Sequence, residues 1–197
     1  MTDATAFERT IESGGVAVFP ADTVYGLACA PDDPAAVARL YALKGRPPDK
    51  PAAVMFFDRD RALAALTEME DRTRGALERL LPDSVTLLLP NPRRRYPLAC
   101  GPDPGTLGLR VPDVPALASV GRPVLQSSAN HAGAPDARRL GDVPEDIRNG
   151  ADLVLDGGEL PGTPSTVIDL RRYERTGEWS VLRSGAVAPA AIATVLG

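Results

Sequence analysis

The chain has 197 residues, of which 44% are apolar, 24% charged and only 5% aromatic, and its formal net charge is −4. That length and composition exclude a disordered or fibrous protein and allow one domain with a continuous core, while the acidic balance argues against nucleic-acid binding over the whole surface. No apolar run approaches the roughly 20 residues that span a bilayer, and the opening MTDATAFERT lacks the basic and apolar regions of a secretion signal, so a cytoplasmic protein without a membrane partner is expected.

Along the chain, GGVAVFP (residues 14–20) and TVYGLACA (23–30) read as two buried strands separated by the turn Pro20-Ala21-Asp22. A helix follows, with Asp33 as N-cap, Pro34 at its first position, Val37, Leu40 and Tyr41 on one face and Gly45 past its end, so that Lys44 and Arg46 emerge at its C-terminus. AAVMFF (52–57) predicts another strand, residues 59–81 hold helical spacing, and SVTLLLP (84–90) returns to strand. Residues 91–105, rich in Pro, Gly and Arg, are expected to form an exposed, partly mobile loop. Strand patterns then recur at TLGLRV, PVLQSS, ADLVLD, STVIDL and WSVLRS. About eight strands and four or five helices in alternation predict an α/β fold with a twisted mixed sheet and flanking helices.

Cys29 and Cys100 belong to no CxxC pair, so neither a zinc cluster nor a redox motif is expected, and Cys29 reads as a core residue. The single histidine, His131, has no flanking GxSxG, which disfavours a Ser-His-Asp triad. Six segments remain that can carry chemistry. Lys44-Gly45-Arg46-Pro47-Pro48-Asp49-Lys50-Pro51 sets three cations on a proline-stiffened turn, a pattern suited to phosphate although, taken alone, more often a solvated helix end. Pro20 to Leu27 interrupts apolar runs with Asp22 and Thr23, either to build a turn or to meet a ligand. Gln126-Ser127-Ser128-Ala129-Asn130 places hydroxyls and an amide at a strand's C-terminal end, where α/β sheets bind ligands. Gly105 to Arg110, Gly162 to Leu170 with its hydroxyl pair Ser165-Thr166, and Leu182-Arg183-Ser184-Gly185 add polar groups at strand ends. No Walker A or GxGxxG fingerprint accompanies them.

In this order the six segments resemble the YrdC/TsaC-type threonylcarbamoyl-AMP synthase family over residues 14–187. PADTVYGL is similar to the family's P-T-D-T-x-Y-G-L, KGRPPDKP to K-x-R-P-x-x-K/N-P, GLRVP to G-x-R-x-P, SSAN to S-A-N, PSTVIDL to S-T-V/I-x-D, and LRSGAV to R-x-G. Ala21 departs from the usual first threonine, and Met55 stands where some relatives carry a polar residue near the amino acid.

The resemblance implies a YrdC-like single domain with a positively charged concave cavity holding ATP and L-threonine side by side. It further implies condensation of threonine, bicarbonate or CO2, and ATP to threonylcarbamoyl-AMP for tRNA modification. Lys44 and Arg46 are then the catalytic cations; Arg46, Lys50, Thr106, Ser128, Asn130 and Arg183 bind ATP; and Thr23, Arg110 and Ser165 bind threonine, Arg110 facing its carboxylate. Asp136 matches a position near the nucleotide. Mg2+ accompanies the triphosphate, with no dedicated protein metal site. The chain ends soon after Val187, so cover for the cavity is expected from the chain itself or from a partner. Two other readings stand beside this one: a carbamoyl-adenylate-forming relative, and an RNA-binding module that uses the basic cavity and Arg93 to Arg95.

Overall fold

The computed structural model describes residues 2–197. Nine strands form one sheet: β1 (Ala17–Pro20), β2 (Tyr25–Cys29), β3 (Ala53–Met55), β4 (Val85–Pro90), β5 (Thr106–Arg110), β6 (Val124–Ser128), β7 (Leu153–Val154), β8 (Thr166–Asp169) and β9 (Ser180–Arg183). Their order is β7-β1-β2-β6-β3-β5-β4-β8-β9. Parallel pairs (β1 with β7, β3 with β5, β4 with β8) are mixed with antiparallel ones. Around the sheet lie α1 (Asp3–Glu12), α2 (Pro34–Leu43), α3 (Arg59–Ala65), α4 (Asp71–Leu80), α5 (Glu145–Gly150), α6 (Tyr173–Thr176) and α7 (Pro189–Leu196).

Period-two alternation gives the sheet two unlike faces. Val85, Leu87 and Leu89 of β4, Leu107 and Leu109 of β5, and Tyr25, Leu27 and Cys29 of β2 enter the larger core, where α2 contributes Val37 and Leu40, α4 Leu77 and Leu80, and α7 Ile192. The opposite face is covered only in part. There α1 lays Phe7 against Phe19 and Phe57, with ring centroids 5.2 and 5.5 Å away in edge-on contact, over Ala17, Ala28 and Val124. Beyond this aromatic patch the face stays open and forms a cavity.

Two expectations change. Residues 91–105 are not simply an exposed loop: Asn91, Ala99 and Cys100 are buried. Asn91 Nδ2 donates to Arg95 O (2.9 Å) and Pro104 O (3.1 Å), while its Oδ1 accepts from Arg95 N (2.9 Å), so one amide ties the start of the excursion to its end. Residues 59–81 form two helices, because the chain turns at Leu66, and Leu66 and Met69 drop into the core between them.

Candidate active site

The open face of the sheet encloses a cavity of about 480 Å³, within the range of small-ligand sites. Its floor comes from the positions of each strand that point away from the larger core: Ala53 of β3, Thr86 and Leu88 of β4, Thr106, Gly108 and Arg110 of β5, Gln126 and Ser128 of β6, and Val167 of β8. Gly108 pairs in register with Ala53, and neither raises a bulky side chain into the space.

The cations arrive from chain turns set by local physics. At the end of α2 the N–H of Arg46 bonds to Tyr41 O (2.9 Å) and that of Gly45 to Ala42 O (3.0 Å), the two bonds of a Schellman motif, with Gly45 at φ 57°. Arg46 is thereby delivered to the cavity wall, its guanidinium 5.7 Å from the Tyr41 ring centroid and its Nη2 donating to Pro51 O at 2.5 Å. Arg183 enters from the other side at the end of β9, where its Nη2 donates to Ser165 O (2.8 Å) and Ser165 Oγ (3.2 Å). The close approach depends on Gly185: a Cβ there would lie 2.6 Å from the Ser165 carbonyl carbon. Arg46 and Arg183 both donate to neutral oxygens, and among the described residues neither forms an ion pair, so their charge is left for an anion.

Arg110 is treated differently. It is 4% exposed, and its Nη2 donates to Asp22 Oδ1 at 2.5 Å, while Asp22 Oδ2 accepts from Ser84 Oγ at 2.8 Å. Burial pulls the Arg110 pKa below its ordinary value, Asp22 opposes that pull, and the positive charge of Arg183 adds to it. Beside this pair Thr23 is 1% exposed, lines the cavity, and keeps a hydroxyl with no partner among the described residues. Ser165 Oγ shares a hydrogen bond with Thr86 Oγ1 at 2.8 Å, and Thr106 Oγ1 donates to Asp103 Oδ2 at 2.6 Å. A buried hydroxyl and charged groups that converge on open space are what a polar ligand needs.

Of the residues singled out from sequence, Thr23, Arg46, Thr106, Arg110, Ser128, Ser165 and Arg183 line this one cavity, as does Asp136. Lys44, Lys50 and Asn130 do not. Lys50 is exposed on the rim beside Pro51. Lys44 is 2% exposed, with Nζ bonded to Ser128 O, Asn130 O and Asn130 Oδ1. Its burial, helped by the nearby charge of Arg46, pulls its pKa down to about 8. Met55 is fully buried in the aromatic patch and forms no part of the cavity wall, which corrects the expectation of a residue beside the amino acid. Tyr25 also faces away, its hydroxyl accepting from Gly157 N (2.9 Å) and holding the turn at 156–158. His131 stands outside the wall, 3.2 Å from Asp146.

Sequence reasoning missed Thr86, Asp103 and Arg171 as wall residues. Arg171 is held by both oxygens of Asp169, at 2.6 and 2.9 Å. The strand alternation Val85-Thr86-Leu87 carried the signal for Thr86; the other two sit in loops with no periodic mark.

Fold and cavity together define an α/β protein whose partly uncovered sheet carries a cavity lined by arginines and hydroxyls, without a glycine-rich phosphate loop. Comparison with known proteins agrees: the Sua5/YciO/YrdC family model, described as telomere recombination, matches residues 9–185. The protein named threonylcarbamoyl-AMP synthase of Chromohalobacter salexigens is 36% identical over 180 residues, covering 88% of this chain and 94% of that protein. The crystal structure of Pyrococcus abyssi Sua5 complexed with L-threonine superposes with a TM-score of 0.83 at 30% identity, covering 98% of this chain and 56% of that one. Escherichia coli YciO superposes with a TM-score of 0.77 at 25% identity, covering 94% of this chain and 90% of that one. The chain belongs to the Sua5/YciO/YrdC family.

Proposed function

We propose that this protein is an L-threonylcarbamoyladenylate synthase, which forms threonylcarbamoyl-AMP and pyrophosphate from L-threonine, bicarbonate or CO2, and ATP. The observation that carries the reading is near full-length similarity to a protein of that name, joined to a cavity in which the matching residues converge. The threonine nitrogen adds to CO2 to give a carbamate; a carbamate oxygen attacks the α-phosphorus, the bond to the bridging oxygen breaks, and pyrophosphate leaves. Once the carbamate exists, little proton transfer is required, so positioning and charge stabilisation carry the step. That accords with a cavity walled by arginines and hydroxyls and containing no histidine.

Within this reading Arg46 and Arg183 hold the phosphates, because their charge is not spent on a carboxylate, and Lys50 adds a cation at the rim. Thr106 and the loop of Ser128 and Asn130 complete the nucleotide side. Thr23, Arg110 and Ser165 form the threonine side, with Arg110 fixed in place by Asp22 for the substrate carboxylate. Mg2+ enters as part of the ATP substrate; among the described residues there is no cluster of three or more His, Cys, Asp or Glu able to hold a metal. The product is a labile mixed anhydride, so a further tRNA-modification protein must accept it to form N6-threonylcarbamoyladenosine. A cytoplasmic location follows from that role, and no described helix is long and apolar enough to cross a membrane. RNA is a secondary ligand on this view, since Arg93 and Arg95 are both drawn to Glu68, at 4.0 and 2.8 Å.

Incubation with ATP, bicarbonate and L-threonine, followed by mass spectrometry, tests the proposal. Pyrophosphate and the adenylate are expected only when all three substrates are present. Release of orthophosphate from ATP alone would point to an ordinary ATPase.

A further inference from the structure

Lys44 lies closest in sequence to Arg46, yet its hydrogens are already spent. A lysine ammonium has three N–H donors, and the three oxygens around Nζ, namely Ser128 O, Asn130 O at 2.7 Å and Asn130 Oδ1 at 3.1 Å, take all of them. The residue is 2% exposed and lies behind the cavity wall. Asn130 is oriented from both ends: Oδ1 accepts from Lys44 and from Ser128 Oγ (2.5 Å), and Nδ2 donates to Ala134 O (2.5 Å). The main chain adds a further tie, Ala132 N to Lys44 O at 2.9 Å. Of this group only Ser128 lines the cavity.

We infer that Lys44 is a positioning residue and not a phosphate ligand: its ammonium clamps residues 128–132 and, through the Asn130 side chain that takes the Ser128 proton, turns the Ser128 hydroxyl oxygen to the bound nucleotide as a hydrogen-bond acceptor. The alternative, in which Lys44 swings out to a phosphate, would strand the Ser128 and Asn130 carbonyl oxygens and leave Asn130 Oδ1 with the Ser128 hydroxyl as its one donor among the described residues. The inference rests on the cavity taking ATP.

A double-mutant cycle on Mg-ATP binding, measured by calorimetry with Lys44→Met, Ser128→Ala and the pair, distinguishes the two roles. Each single substitution is expected to weaken binding about threefold to tenfold, as loss of a hydrogen bond between neutral groups does. The pair should bind within about twofold of Lys44→Met alone, because the clamp and the hydroxyl it aims act as one unit. Losses that multiply would overturn the inference, since they would mean that Lys44 meets the nucleotide independently. Circular dichroism and thermal melting establish that the variants are folded. Should Lys44→Met not fold, the wild type labelled with 15N-lysine serves instead: a hydrogen-bond scalar coupling between Lys44 Nζ and a phosphorus of bound ATP would overturn the inference, and its absence beside an observable Lys44 ammonium signal supports it. A wild type that binds no Mg-ATP at all would instead remove the nucleotide reading on which the clamp depends.

Discussion

Arg46 and Arg94 are both arginines in basic, proline-flanked segments, and the structure gives them opposite surroundings. Arg46 is fixed by the helix-end motif, by Tyr41 and by Pro51 O, and it lines the cavity; Arg94 is exposed and away from it. Loss of one charge-assisted contact costs about 1.5–3 kcal/mol, so Arg46→Ala should weaken Mg-ATP binding roughly tenfold to hundredfold, and Arg94→Ala less than about twofold. Equal effects by calorimetry would remove Arg46 from the phosphate site. Lys44 gives a second expectation, in pH. Its folded pKa of about 8 lies below the ordinary 10.5, so between those values the unfolded chain binds more protons than the folded one. This group's contribution to stability therefore rises with pH across that window. Its effect on the site runs the other way, because a neutral amine has two donors for three oxygens and the 128–132 loop loosens. The expected signature is a Lys44 side-chain NMR titration with a midpoint near 8, with Mg-ATP affinity falling above it; a midpoint near 10.5 would show that burial does not act on Lys44 in this way. The motif residues could be read from sequence because each is fixed by a short local pattern. The burial of Lys44 was not legible, since its acceptors come from residues 128–130, far along the chain.

The helix–turn elements were legible because their physics is local. Asp33 caps α2 by accepting from Ala35 N (2.9 Å) and Ala36 N (3.1 Å), Pro34 starts it, and Gly45 ends it, as the sequence predicts. The segment 91–105 was misread for the opposite reason. Its proline and glycine content is that of a surface loop, but the amide of Asn91 bonds to positions 4 and 13 residues ahead, and that contact has no signature in composition. The same segment brings Ala99, Cys100, Pro102 and Asp103 to the cavity wall, so its order matters to the site. Replacing Asn91, 1% exposed, by alanine leaves Pro104 O and the Arg95 N–H without their partner and Arg95 O with only the long contact of the Cys100 thiol at 3.5 Å, at roughly 1–3 kcal/mol for a buried unpaired group. Asn91→Ala is expected to lower urea-unfolding stability by about 3 kcal/mol, with Asn91→Asp restoring only the Arg95 N–H bond and recovering part of the loss. A change below about 0.5 kcal/mol would show that water replaces the amide and that the segment is as loose as its composition suggests.

At the scale of the molecule, the sheet runs unbroken from β7 to β9, and the larger core gathers residues from Val16 to Leu196, so no set of strands has a core of its own large enough to unfold apart. The aromatic patch under α1 shares β1, β2, β3 and β6 with that core through the opposite faces of the same strands. One cooperative thermal transition is therefore expected for the whole chain. The cavity is expected to make that transition respond to ligand, because among the described residues no carboxylate pairs with Arg46 or Arg183, and an anion can satisfy their charges. Mg-ATP at about a hundred times its Kd should stabilise the fold by about 2.7 kcal/mol, which for a chain of this size raises Tm by about 5–11 °C. In Arg46→Ala, with affinity reduced about tenfold to hundredfold, the same concentration should raise Tm by only about 1–6 °C. Differential scanning calorimetry with and without Mg-ATP reads both quantities. Two separated transitions would show that the sheet is divided energetically, and a single transition that Mg-ATP leaves in place would show that the cavity does not take the nucleotide.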